Sequence, residues 1–230
     1  MLLRQMLPEH HFSSDTKETV MVAMGFVATM AALILGLLVA SAKDSYDKQA
    51  SGVTEMAAKV VFLDRLLANI GPETKDVRAL LRRELETITK RMWPANHSGD
   101  SELDPSATQA EELLAGVQSL KTTTDLQNTL KTQAITTSLE LGQLRWMEYE
   151  QATGATSKAL LSILVFWTAV LFASFGIFAP KNGTVIVALF FAALSVTGAI
   201  FLIEELNSPF TGMLQIPQTT FVNVANHLGS

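Results

Sequence analysis

Residues 20–42 read VMVAMGFVATMAALILGLLVASA, a run without one charged side chain. An α-helix rises about 1.5 Å per residue, so about 20 residues cover the roughly 30 Å hydrocarbon core of a bilayer. Ala159 to Ala179 and Thr184 to Ile203 are two further uncharged blocks of that reach. One such block suits the centre of a soluble domain. Three separate ones do not, and a cleaved signal peptide fits no better. The first block starts late, is long for an h-region, and follows a segment carrying acids as well as bases.

Outward from these blocks the chain turns polar. Its 230 residues are 48% hydrophobic with a mean hydropathy of +0.27, but the apolar residues pool near the two ends. The net charge of −5 comes with no basic run, so no nucleic-acid partner is expected. Cysteine is absent, which excludes disulfides, thiolate catalysis and cysteine metal sites.

The boundaries are readable. Asp15 and Glu18 have capping-box spacing just before the first span. Lys43 and Asp44 bring the first span to water, and Pro180-Lys181-Asn182-Gly183 is a breaker cluster short enough to force a helical hairpin. The expected organisation is a juxtamembrane segment at 1–19, spans at 20–42, 159–179 and 184–203, a helical segment at 43–158, and a tail at 204–230. The fold class is all-α and polytopic. Lys43, Lys48, Lys59, Arg145 and Lys158 flank the long segment, against Arg4, Lys17 and Lys181 on the other side. That bias puts the long segment in the cytoplasm.

Within 43–158, Val53, Met56, Val60, Leu63, Leu67 and Ile70 step by threes and fours, an a/d seam. Gly71-Pro72 ends that helix. Val77, Leu81, Leu85, Ile88 and Met92 mark a second, which Trp93-Pro94 stops. A polar loop at 95–104 follows, with Asp104 as N-cap and Pro105 at the first helical position. The third helix carries Leu113, Val117 and Leu120, slips register near Thr122–Thr124, and resumes through Leu130, Ala134, Thr137, Leu141 and Leu144 to about Gln151. These seams need partner helices, supplied by the same chain or by other subunits.

Chemistry is sparse. Glu9-His10-His11 is the most metal-like cluster, but adjacent histidines diverge on a helix and no third ligand is well spaced. A surface loop explains it more simply. His97 and His227 stand alone. Glu204 and Glu205 could attract a cation such as calcium, or be a solvated helix end. No phosphate loop, hydrolase elbow or HExxH motif occurs, so no enzyme activity, metal or cofactor is expected. The first span says more. Ala28, Ala32, Gly36 and Ala40 recur every fourth residue as a helix-packing stripe of small side chains. Roughly opposite, Phe26, Met30, Leu33 and Leu37 form a bulky apolar stripe. It faces either lipid or the axis of a pore, where it would line an apolar constriction.

LPEHHFSSDTKETV at 7–20, ATMAALILGLLVASAK at 28–43, SYDKQ at 45–49, FLDRLLANIGPETKDVRALLRR at 62–83, FWTAVLFASFGIFAPKN at 166–182 and ALSVTGAIFLIEELNSPFTG at 193–212 carry a resemblance over nearly the whole chain. Together they resemble the bacterial bestrophin-like membrane proteins, a group long catalogued as a domain of unknown function. The resemblance implies kinship with bestrophins, pentameric anion channels of four spans with a pore lined by the second. It therefore implies a multi-pass protein of the bacterial inner membrane, in contact with lipid, assembling as a homo-oligomer and passing inorganic anions. Family members usually carry a further apolar helix ahead of the LPEHH motif, where this sequence begins Met1-Leu2-Leu3-Arg4. The expectation is an upstream helix of which only the foot is present, making the span at 20–42 the counterpart of the pore-lining one. No acidic calcium clasp is visible beyond Glu204 and Glu205. The alternative from another class is a non-conducting scaffold or sensor that binds partners through its cytoplasmic helices.

Overall fold

The computed structural model describes residues 14–94, 109–153, 158–178 and 182–228. The described residues form seven α-helices: α1 (Ser14–Ile70), α2 (Lys75–Met92), α3 (Gln109–Ser119), α4 (Asp125–Thr153), α5 (Lys158–Phe178), α6 (Gly183–Leu206) and α7 (Thr219–His227), with a 3₁₀ turn at Pro72–Thr74 between α1 and α2. The chain is all-helical, and α1, α5 and α6 are long and apolar enough to cross a membrane. The readings at Glu9-His10-His11, at the foot of an upstream helix, at His97 in the 95–104 loop and at the Asp104-Pro105 cap lie outside the described residues.

Two compact units divide the chain. One comprises Met1–Asp44 with Thr156–Asn207, the other Ser45–Ala155 with Ser208–Ser230. The tail after the last span therefore belongs with the polar middle. α1 contributes to both units without a break. At about 1.5 Å per residue its 57 residues run roughly 85 Å, far more than a bilayer needs. Nothing in the sequence stops it at the charged stretch. Lys43 with Asp47 and Asp44 with Lys48 have the i,i+4 spacing that supports a helix, and no proline occurs between Ser14 and Ile70.

In the second unit the seam finds its partners inside the chain. Val53, Met56, Val60, Leu63, Leu67 and Ile70 are all buried, in one cluster with Val77, Leu81, Leu85, Leu113, Val117, Ala134 and Leu141. Each fully covered leucine, such as Leu63 or Leu67, contributes about 1.5–3 kcal/mol. α2 packs on α3 and α7, and α3 on α4.

The third helix departs from expectation. The register slip near Thr122–Thr124 is a break between α3 and α4 rather than a continuous helix. Its cause is a reciprocal cap. Gln127 N donates to Thr124 Oγ1 at 3.2 Å, while Gln127 Oε1 accepts from Thr123 N at 2.9 Å and Thr124 N at 3.3 Å. This Thr-x-x-Gln pattern is a capping box, and it satisfies backbone donors that a helix start leaves open. Gln127 Nε2 then reaches Ile70 O at 2.8 Å, tying the new helix start to the end of α1.

The corner after α1 depends on Gly71, whose φ of 138° and ψ of −175° lie in a region that only glycine occupies comfortably. The buried Thr74 hydroxyl sits 2.8 Å from Leu67 O and 2.7 Å from Gly71 O, covering carbonyls that the helix end leaves open. Arg78 grips Asp64 across the corner through Nε at 2.7 Å and Nη2 at 2.9 Å. A β-carbon at position 71 would lie 2.8 Å from Glu73 Oε2. Gly71→Ala is therefore expected to lower stability by about 1–3 kcal/mol, read as a drop in the thermal midpoint.

Candidate functional site

Few residues of the three spans are covered by the chain itself. On α5 Leu164 and Leu171 are buried, and on α6 Ile203 and Leu206. The N-terminus of α6 is capped by Asn182, whose Oδ1 accepts from Thr184 N at 3.1 Å. On the apolar part of α1, Met24, Val27, Ala31 and Leu35 are half-buried and Leu38 and Ala42 fully buried. These residues step by threes and fours along one face of the span.

The bulky stripe lies elsewhere on α1. Phe26 is 70% exposed, Leu33 60%, Leu37 71% and Met30 46%. Phe26 and Met30 edge an apolar groove with Val27, Ala31 and Ile34 of α1 and Leu160, Ile163, Leu164 and Trp167 of α5. Its volume is about 210 Å³. Leu33 and Leu37 do not line it. The small stripe is bare as well: Ala32, Gly36 and Ala40 are exposed and Ala28 is half-buried. A β-carbon on Gly36 would meet nothing within 4 Å. Within one chain, then, the covered face of α1 is a third face, distinct from both stripes.

Glu204 is exposed and Glu205 half-buried at the end of α6. Among the described residues no group of three or more histidine, aspartate or glutamate side chains gathers as a metal site.

The polar features that sequence reasoning missed lie in the second unit. Arg145 Nη1 holds Glu84 Oε1 at 2.7 Å in a largely buried pair. The pair borders a cavity of about 40 Å³ lined also by Leu81, Ser138 and Leu141. Burial raises the Glu84 pKa and the Arg145 charge lowers it, with the net shift upward. Gln49 and Glu148 are each 3% exposed. A sequence signal existed for both. Gln49 stands four residues before Val53 and Glu148 four after Leu144, so each is a polar residue in seam register.

The fold is that of known bacterial structures. A bacterial bestrophin homolog from Klebsiella pneumoniae, solved by Zn-SAD phasing, superposes with a TM-score of 0.68 at 14% identity, covering 90% of this chain and 85% of that one. Two variants of that homolog behave alike. A leucine-to-threonine variant gives 0.69 at 15% identity, covering 90% and 85% of the two chains. A tyrosine-to-alanine variant gives 0.70 at 13%, covering 90% and 86%. At such identities the likeness is one of fold. None of the curated proteins compared with the chain matches it. The family profile described as the Bestrophin-like domain matches residues 1–221. With nearly its whole length accounted for by that profile, the chain belongs to the bestrophin-like family of membrane proteins.

Proposed function

We propose that this protein is an ion channel: a ring of identical subunits in the bacterial inner membrane, pentameric by analogy, that passes inorganic anions through a neck lined by α1. The observation that carries this reading is the bare bulky stripe. Counting about 100° per residue, Phe26, Met30, Leu33 and Leu37 fall within roughly 60° of one another and about 140° from the face the chain covers itself. The small stripe lies on one flank and the groove against α5 on the other. A helix in a closed ring needs such a division, with one face to its own subunit, one to the axis and two to its neighbours. Small side chains on a flank let a second copy approach closely in lipid.

Repeated around an axis, the bulky stripe makes stacked apolar rings. Such a neck holds water poorly and offers an ion no replacement for its hydration shell. Leu33→Ser should wet it and raise anion flux in reconstituted liposomes, with Leu37→Ala acting in the same direction. If wetting one ring lowers the barrier by about 1.4 kcal/mol, flux rises about tenfold. A folded, oligomeric Leu33→Ser protein without flux would sink the channel reading and leave the scaffold.

A further inference from the structure

The second unit holds a buried acid that neither its packing nor the proposed neck explains. Glu148 of α4 lies against the backbone of α1 at Gly52. Its Cδ is 2.7 Å, and its Oε2 3.5 Å, from where a β-carbon on Gly52 would stand. Any side chain but hydrogen at 52 would exclude the carboxyl group. Its Oε2 is buried and has no hydrogen-bond partner, and the buried Oε1 of Gln49, one turn earlier on α1, has none either. Gln49 Nε2 is directed to Ser45 Oγ at 3.5 Å, and it makes no hydrogen bond to Glu148 Oε2.

We propose that Gly52, Gln49 and Glu148 form a proton-binding seat, in which the Glu148 carboxyl is neutral while α4 is docked on α1 and its ionisation releases the end of α4. Two bare acceptors in a buried place need a donor, and a carboxylate supplies none. A protonated carboxyl has one, and Gln49 Oε1 is the open acceptor on the neighbouring turn. An ionised, unpaired carboxylate is the costly alternative.

The charged groups around the seat do not change this. On α1, Asp47, Lys48 and Glu55 are exposed. On α4, Arg145 is engaged by Glu84 of α2, and Tyr149 stacks edge-on with Trp146. Burial alone pushes the Glu148 pKa up, from 4.5 to about 7. Because the folded value is the higher one, the seat's contribution to stability is complete below the ordinary carboxylate range. It is lost as pH rises toward and through about 7.

Infrared difference spectroscopy on the intact protein in bilayers tests the seat. The carbonyl stretch of a protonated carboxylic acid should be present one unit below the midpoint, fade one unit above it, and be missing from Glu148→Gln at both. Hydrogen exchange at 144–153, corrected for base catalysis, should rise across the same interval in the natural protein and stay level in Glu148→Gln. Gly52→Ala should push the carboxyl out of its seat and return its midpoint to the ordinary carboxylate range. The proposal is overturned by a band that survives Glu148→Gln, by a midpoint unmoved in Gly52→Ala, or by one that tracks sodium or calcium concentration. None of these readouts depends on whether the protein conducts.

Discussion

Arg145→Met lowers the stability of the helical unit by about 3–5 kcal/mol, the cost expected when one partner of a buried ion pair is removed. The Glu84 side chain is 8% exposed and that of Arg145 14%, and their contact is 2.7 Å. Methionine fills much the same space, so the loss is electrostatic rather than a cavity. Glu84 Oε2 has no partner even with Arg145 in place, and without Arg145 both oxygens stand bare. The acid must then take up a proton, since the largest influence lowering its pKa has gone. A carboxyl with its folded pKa raised loses stability as pH rises. The difference in thermal midpoint between variant and natural protein should therefore be small in acid and widen toward alkaline pH. Glu148 titrates equally in both proteins and cancels from the difference. Adding Glu84→Leu to Arg145→Met should recover much of the loss, because an apolar pair leaves no charge bare. A midpoint difference that is independent of pH would show that Arg145 acts through packing alone.

Trp93→Ala should cost about 3 kcal/mol, toward the low end for a large aromatic because the residue is half-buried. Trp93 ends α2, and the last segment of the chain gathers around it. Its Nε1 donates to Ile216 O at 2.7 Å. Its ring meets Phe210 edge-on at 5.4 Å and Phe221 at 5.6 Å. Phe210, Ile216 and Phe221 are themselves buried. Removing the indole opens a cavity and leaves a carbonyl without its donor. The expected readout is local: hydrogen exchange and proteolysis rise across 208–228 while the Val53–Ile70 seam stays protected. Trp93→Phe keeps the edge-on contacts and loses only the hydrogen bond, so it should cost about 1 kcal/mol. If the tail stays protected in Trp93→Ala, its docking rests on α7 and α2 without the indole.

Much of this architecture is legible in one dimension because water and lipid sort side chains by pattern. Three charge-free runs are long and apolar enough to be spans, and burying backbone in hydrocarbon demands helix and apolar cover together. The seams at 53–70 and 77–92 were readable for the same reason, as an amphipathic helix shows its buried face by its period. Even the break at Thr124 was written as a capping box, although a weak helix former in a weak run conceals it. Tertiary structure decided which element meets which. Spacing alone cannot say whether a seam closes on its own chain or on another, and here it closes on its own. It cannot show that Leu38 and Ala42 lie on the covered face of the first span, because an all-apolar run has no polar residues to mark its outer side. Nor can it find Glu148 against Gly52, whose residues lie far apart in the chain and meet only when α4 folds back on α1. Pattern reports what a residue prefers to be near, and contact at long range depends on the path the chain takes between.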